Sequence, residues 1–161
     1  MQFSQKYTII QLFEDIPEGA EFSSNNWPLH STVVDTFAND WDVAAITKRL
    51  TGLLKQSKPF ATTATDEAFF GPRQETQVML LKKTPELAEL HNAVVDLLEE
   101  GNLKLNDPQF ARGGFLPHAT VQSHAQLNKG DEVFFTALSI IDMFPHEDPY
   151  KRKVLKTIKL G

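Results

Sequence analysis

His30-Ser31-Thr32-Val33 and His118-Ala119-Thr120-Val121 spell the same pattern, His-x-Thr-Val, once in each half of a 161-residue chain. With 5 His, 13 Thr and 9 Val available, roughly 0.02 such matches are expected by chance, so the pair is a signal where a single copy would mean little. Both copies lie in stretches that read as strands, Leu29 to Phe37 and Pro117 to Gln122. Side chains alternate along a strand, so each histidine shares a face with the threonine two positions on, while Ser31 and Val33, or Ala119 and Val121, point the other way. Each copy therefore presents an imidazole and a hydroxyl together.

Outward from the motifs, Tyr7 to Phe13 reads as a strand and Glu14 to Pro28 as a loop punctuated by Pro17, Gly19 and Asn25-Asn26. Asn39 and Asp40 are candidate caps for a helix over Trp41 to Gln56, whose apolar positions Ile46, Leu50, Leu53 and Leu54 keep to one face until Lys58-Pro59. Phe60 to Phe70 and Glu75 to Lys82 form a hairpin around Gly71-Pro72. Thr84 caps a second helix that starts at Pro85, carries Leu87, Leu90, Val94, Leu97 and Leu98, and stops at Gly101. Asn102 to Gly114 is predicted to be loop, and Glu132 to Phe144 and Val154 to Leu160 strands. The order β-β-α-β-β-α-β-β-β, with two similar groupings of strands around one helix each, predicts a single α+β domain over residues 1–161, built as two lobes with antiparallel sheets.

Composition bounds the chemistry. Sixteen basic against 21 acidic residues give a formal charge of −5, which argues against coating long duplexes, an affinity that comes from lysine and arginine displacing counterions. It leaves room for a small phosphorylated ligand. The absence of cysteine excludes disulfides, thiolate metal sites and a cysteine nucleophile. No apolar stretch approaches the roughly 20 residues that span a bilayer, so no membrane partner is expected. Met1 to Lys6 has neither the basic flank nor the apolar core of a signal peptide, so the expected location is the cytoplasm. Phosphate-binding glycine loops, zinc-protease and serine-hydrolase signatures are all missing.

If the two strands flank one groove, two imidazoles and two hydroxyls converge. Histidine titrates near neutrality, so one ring can accept a proton while the other donates one, which suits in-line displacement at phosphorus. The threonine hydroxyls can bond the non-bridging phosphate oxygens. This chemistry calls for no metal and no cofactor.

The paired motifs, with Pro117 before the second histidine, resemble those of the 2H phosphoesterase superfamily, which includes 2′,3′-cyclic nucleotide phosphodiesterases and 2′,5′ RNA ligase-like proteins. The resemblance implies two pseudo-symmetric halves with a groove between them, and catalysis by His30 and His118 as acid and base with Thr32 and Thr120 holding phosphate. The implied reaction is metal-independent hydrolysis of a 2′,3′-cyclic phosphate at an RNA end or on a small nucleotide; the chain is expected to act as a monomer. Joining or cleavage of 2′,5′ phosphodiesters and non-catalytic nucleotide binding are the alternatives, with a two-histidine metal site a weaker one. The chain departs from the ligase-like branch where that branch carries an arginine near the first strand and a basic residue after the second motif; here stand Lys6-Tyr7-Thr8 and Gln122-Ser123-His124.

Arg112, Arg73, Phe115 and His124 are candidate substrate contacts: the arginines as phosphate or base partners, Phe115 as a stacking surface, and His124 if the strand of Thr120 runs on. Trp27 and Phe110 also flank the motifs, and Lys151-Arg152-Lys153 could steer a nucleic-acid backbone. His91, on the apolar stripe of the second helix, reads as a packing residue and His146 as surface.

Overall fold

Asp42 and Thr84 start the two helices by accepting a hydrogen bond from the backbone N–H three residues on, at Ala45 and Leu87. In the computed structural model, which describes residues 6–161, α1 spans Val43–Leu54 and α2 spans Pro85–Glu99. Met1 to Gln5 lie outside the described residues, so the reading of the N-terminus for a signal peptide is not addressed by them. The strands are β1 Tyr7–Leu12, β2 Glu21–Ser23, β3 His30–Ala38, β4 Phe60–Phe70, β5 Thr76–Leu81, β6 Lys104–Leu105, β7 His118–Thr120, β8 Glu132–Phe135, β9 Ala137–Asp142 and β10 Lys151–Lys159.

They form two antiparallel sheets, a six-stranded one in the order β2-β10-β9-β1-β3-β6 and a four-stranded one in the order β7-β5-β4-β8. Strand β3 opens on His30 in the first sheet and β7 opens on His118 in the second, and the two strands lie against each other. The α+β architecture of two halves is thus the one the element order predicts. Ile46, Leu50 and Leu54 of α1, all fully buried, pack toward β10, and α2 lays Leu87, Leu90, Val94 and Leu98 toward β3. Each such side chain contributes about 1.5 to 3 kcal/mol of burial, which ties the motif strands to the helices.

The differences from the sequence expectations have local causes. The loop from Glu14 to Pro28 contains β2, which pairs with the start of β10. The apolar run from Glu132 to Phe144 is two strands in different sheets, and where the chain changes sheet Gln11 Oε1 accepts from both the Thr136 and Ala137 N–H groups at 2.7 and 3.0 Å. Asn39 does not cap α1 because it is engaged elsewhere: its amide donates to the Leu98 carbonyl and its Oδ1 accepts from the Trp41 N–H. The strand of the second motif ends at Thr120, two residues short of the expected Gln122. Among the described residues no helix is long and apolar enough to cross a membrane.

Candidate active site

His30 and His118 are anchored in the same way, each by its own backbone. His30 Nδ1 lies 2.8 Å from the Pro28 carbonyl, and His118 Nδ1 lies 2.8 Å from the Leu116 carbonyl, two residues earlier in both cases. A carbonyl only accepts, so Nδ1 carries the hydrogen and Nε2 of the neutral ring carries the lone pair. The other three histidines spend Nε2 on protein partners: His91 accepts from the Arg112 N–H, His124 meets Glu14, and His146 meets Glu21. Only His30 and His118 leave Nε2 without a protein partner among the described residues.

The threonines divide less sharply, since the Thr36, Thr63, Thr76 and Thr136 hydroxyls also make no hydrogen bond to protein among the described residues. Thr8, Thr62 and Thr65 donate their hydroxyls to the carbonyls of Val34, Lys82 and Leu80, whereas the half-buried Thr32 and Thr120 hydroxyls have no protein partner among the described residues. Two ring nitrogens and two hydroxyls are therefore without a protein partner among the described residues, and they belong to the two copies of one motif; Thr32 and His118 line the cavity described below, and His30 and Thr120 are not among its lining residues.

Aromatic contacts hold the rings. His30 stacks on Trp27 with centroids 4.7 Å apart, and the edge of Phe70 meets His118 at 4.8 Å. Burial pushes His30 down to about 4, because desolvation penalises the imidazolium, and the nearby His118 adds to the effect. His118 is lowered for the same first reason, but Asp35 opposes the shift by favouring its charged form. Both rings are consequently neutral in the free protein at pH near 7, and the carboxylate makes them inequivalent.

A cavity of about 700 Å³ opens onto Thr32 and His118. One wall is Phe70, Gly71 and Pro72 at the end of the hairpin, another is Phe110, Phe115 and Leu116 from the segment before β7, and Asp35 and Asp107 also face it. The segment before β7 is held by buried His91, whose Nδ1–H donates to the Val33 carbonyl and whose Nε2 accepts from the Arg112 N–H at 2.8 Å. His91 is thus a strut between β3, beside Thr32, and the turn that leads to His118. Gly114 allows that turn to close, since a Cβ there would run into the Gln109 carbonyl oxygen.

The secondary candidates are placed differently. Phe115 lines the cavity but is buried, its ring flat against His91 with centroids 4.0 Å apart. Arg112 turns its guanidinium to Asp96 and is not among the cavity-lining residues. Arg73 is exposed beyond Pro72, with its backbone N–H on Glu75, and does not line the cavity either. His124 pairs with Glu14 at 2.7 Å; since β7 stops at Thr120, the shared face that would have aimed His124 at the phosphate does not form. Arg152 spends Nη1 on the carbonyls of Met143, Pro149 and Lys151. Among the described residues no group of three or more histidine, aspartate or glutamate side chains is disposed to hold a metal ion.

The model of the 2′-5′ RNA ligase superfamily matches residues 10–139, a span that includes both motifs. The chain belongs to the 2′-5′ RNA ligase superfamily. Among solved structures, E. coli LigT complexed with 3′-AMP is similar over 98% of both chains, with 17% identity and a TM-score of 0.56. TT0787 of Thermus thermophilus aligns with 96% of this chain and 97% of its own, at 14% identity and a TM-score of 0.59. A structure described as a phosphoesterase aligns over 98% of both chains at 16% identity and a TM-score of 0.56. At these identities the likeness is one of fold. No curated protein matches the chain in sequence.

In this member of the 2′-5′ RNA ligase superfamily, the cavity-lining carboxylates that sequence reasoning missed are Asp35 and Asp107. Strict alternation from His30 and Thr32 sends Asp35 to the opposite face. Two register shifts in the β1–β3 pairing, between Thr32 and Val34 and between Val34 and Phe37, break that alternation and leave Asp35 on the cavity with Thr32. Asp107 carried only a turn signal, Asp-Pro, and it starts the short 3-10 turn Pro108–Phe110 without spending its carboxylate on a cap.

Proposed function

We propose that this chain is a metal-independent phosphodiesterase that hydrolyses the 2′,3′-cyclic phosphate of a small nucleotide or an RNA end. One observation carries the reading: of five histidines, the two in the repeated motif, and only they among the described residues, hold Nδ1 on a backbone carbonyl and keep Nε2 free. An acid and a base are needed on the two sides of phosphorus, and Nε2 is the reacting atom on each ring. Bound nucleotides in LigT structures, among them 3′-AMP and NADP+, are consistent with a nucleotide ligand here.

The roles follow from charge. His30, with no carboxylate among the charges that act on it, is the base: its Nε2 takes a proton from water as the water oxygen bonds to phosphorus. His118, favoured in its charged form by Asp35, is the acid: its Nε2–H passes to the ribose oxygen as the phosphorus–oxygen bond breaks. The phosphodiester anion, once bound, raises the protonation of His118 further. The Thr32 and Thr120 hydroxyls donate to the non-bridging oxygens, where negative charge is held through the displacement.

The test is a panel of the four nucleoside 2′,3′-cyclic phosphates and a 2′,5′-linked dinucleotide, each incubated with and without chelator and separated by chromatography. Ring-opened monophosphate at the same rate in chelator is the expected result. Cleavage of the 2′,5′ bond alone would transfer the same residues to the activity in the superfamily's name, and loss of all turnover in chelator would end the metal-independent mechanism.

A further inference from the structure

The cavity beside His118 has a chemistry that the reaction itself does not require. It opens onto Thr32 and His118, so a substrate with its phosphate on those groups has its ribose and base within reach of the cavity. Phe70, Pro72, Phe110 and Leu116 give it flat apolar walls, and Phe110 and Leu116 are about half exposed, at 52% and 48%, with no protein packed over them. Such walls suit the faces of a nucleobase. Besides Thr32 and His118, the polar lining is Gln109, whose amide both donates and accepts, and two carboxylates that only accept. No lysine or arginine is among the residues lining the cavity, while Asp35 and Asp107 are.

An ionised carboxylate accepts hydrogen bonds and donates none. Asp35 Oδ1 already accepts from the Thr36 N–H at 2.9 Å, and Asp107 makes no capping bond. The remaining oxygens call for N–H donors from the ligand. Guanine offers N1–H and the N2 amino group side by side, a match for a carboxylate's two oxygens or for two neighbouring carboxylates. Uracil sets a carbonyl on either side of its one donor and would place oxygen against oxygen. Burial raises Asp35 above the usual carboxylate range, and Asp107 raises it further; a donor edge relieves both effects.

We propose that this cavity is a base subsite selective for guanine, read by Asp35 and Asp107, so that the preferred substrate is a guanosine 2′,3′-cyclic phosphate or an RNA end terminating in one. The proposal rests on the two-histidine reading for where the phosphate sits, but its test does not depend on turnover. Calorimetric titration with guanosine, inosine and uridine 3′-monophosphates reports base recognition alone. Guanosine is expected to bind at least about tenfold more tightly than uridine, with inosine, which lacks the amino group, in between. Asp107→Asn, an exposed substitution, and Asp35→Asn, which keeps an oxygen for the Thr36 N–H, are each expected to shrink that ratio severalfold. Equal affinity for guanosine and uridine, or a ratio unchanged in both variants, overturns the proposal. Guanosine-selective binding without hydrolysis of any cyclic phosphate sinks the hydrolase reading and leaves the subsite standing; hydrolysis without base preference does the reverse.

Discussion

Acidification should destabilise this protein through His30, against a smaller opposing contribution from Asp35, whose carboxyl is raised by burial and so takes up its proton more readily folded than unfolded. The folded His30 value of about 4 lies below the ordinary 6.5, so between those values the unfolded chain binds a proton that the native ring refuses. Stability is therefore lost as pH falls through that window. The whole displacement corresponds to about 3 kcal/mol, and titrating it from pH ~7 to pH ~5 gives a loss of about 2 kcal/mol. Glu14 and Glu21 are lowered by their hydrogen bonds, so their contribution is lost only under more acidic conditions, below their ordinary 4.5. His91 and His118, displaced in the same direction as His30, contribute in the same sense. A difference measurement isolates His30: urea unfolding of wild type and His30→Asn at both pH values, followed by tryptophan fluorescence, to which Trp27 on the His30 ring contributes. Wild type should lose about 2 kcal/mol more than the variant on acidification. Equal losses would mean that His30 is protonated as readily folded as unfolded, and the argument that burial keeps it a neutral base would fail.

Three further outcomes follow from the same contacts. His91→Leu leaves the Val33 carbonyl and the Arg112 N–H without a partner in the interior, so denaturant melts should show a loss of about 2 to 5 kcal/mol. Arg112→Ala removes an exposed pair with Asp96 and keeps the backbone bond to His91, so stability should change by less than about 1 kcal/mol and turnover should hold. Gly114→Ala drives a methyl group into the Gln109 carbonyl and shifts the segment that carries Phe115 to His118; kcat/KM should fall at least tenfold or so if one ångström of misplacement matters as much as it does elsewhere.

Helices, hairpin and motif strands were legible in the sequence because each rests on a local rule. Thr84-Pro85 starts α2, and the threonine-rich run Phe60 to Phe70 is one strand as it reads. Features set by distant partners were not. Nothing near Thr136 announces that the chain changes sheets there; the reason is Gln11, in a strand from the other end of the chain. Asn39 is as good a cap by type as Asp42, and its tie to Leu98 at the far end of α2 removes it from the role.

In the candidate site, the residue types and their spacing singled out the two histidines, while the hydrogen bonds to Pro28 and Leu116 that fix their tautomers belong to backbone geometry. Asp35 was hidden by the register shifts of β3, and this one carboxylate makes two equivalent-looking imidazoles unequal. Arg112, before the second motif, and Arg73, after the hairpin turn, were attractive as charges. Asp96 claims one, and the other stands outside the cavity.

The most direct measurement is the turnover of a 2′,3′-cyclic nucleotide by His30→Ala and His118→Ala, each alone, across pH and with folding checked by circular dichroism. Each single change should bring the rate close to the uncatalysed background, a loss on the order of 10² to 10⁴ for removing a positioned acid or base. Wild-type turnover in either folded variant would contradict a reaction carried by the free Nε2 atoms of both rings.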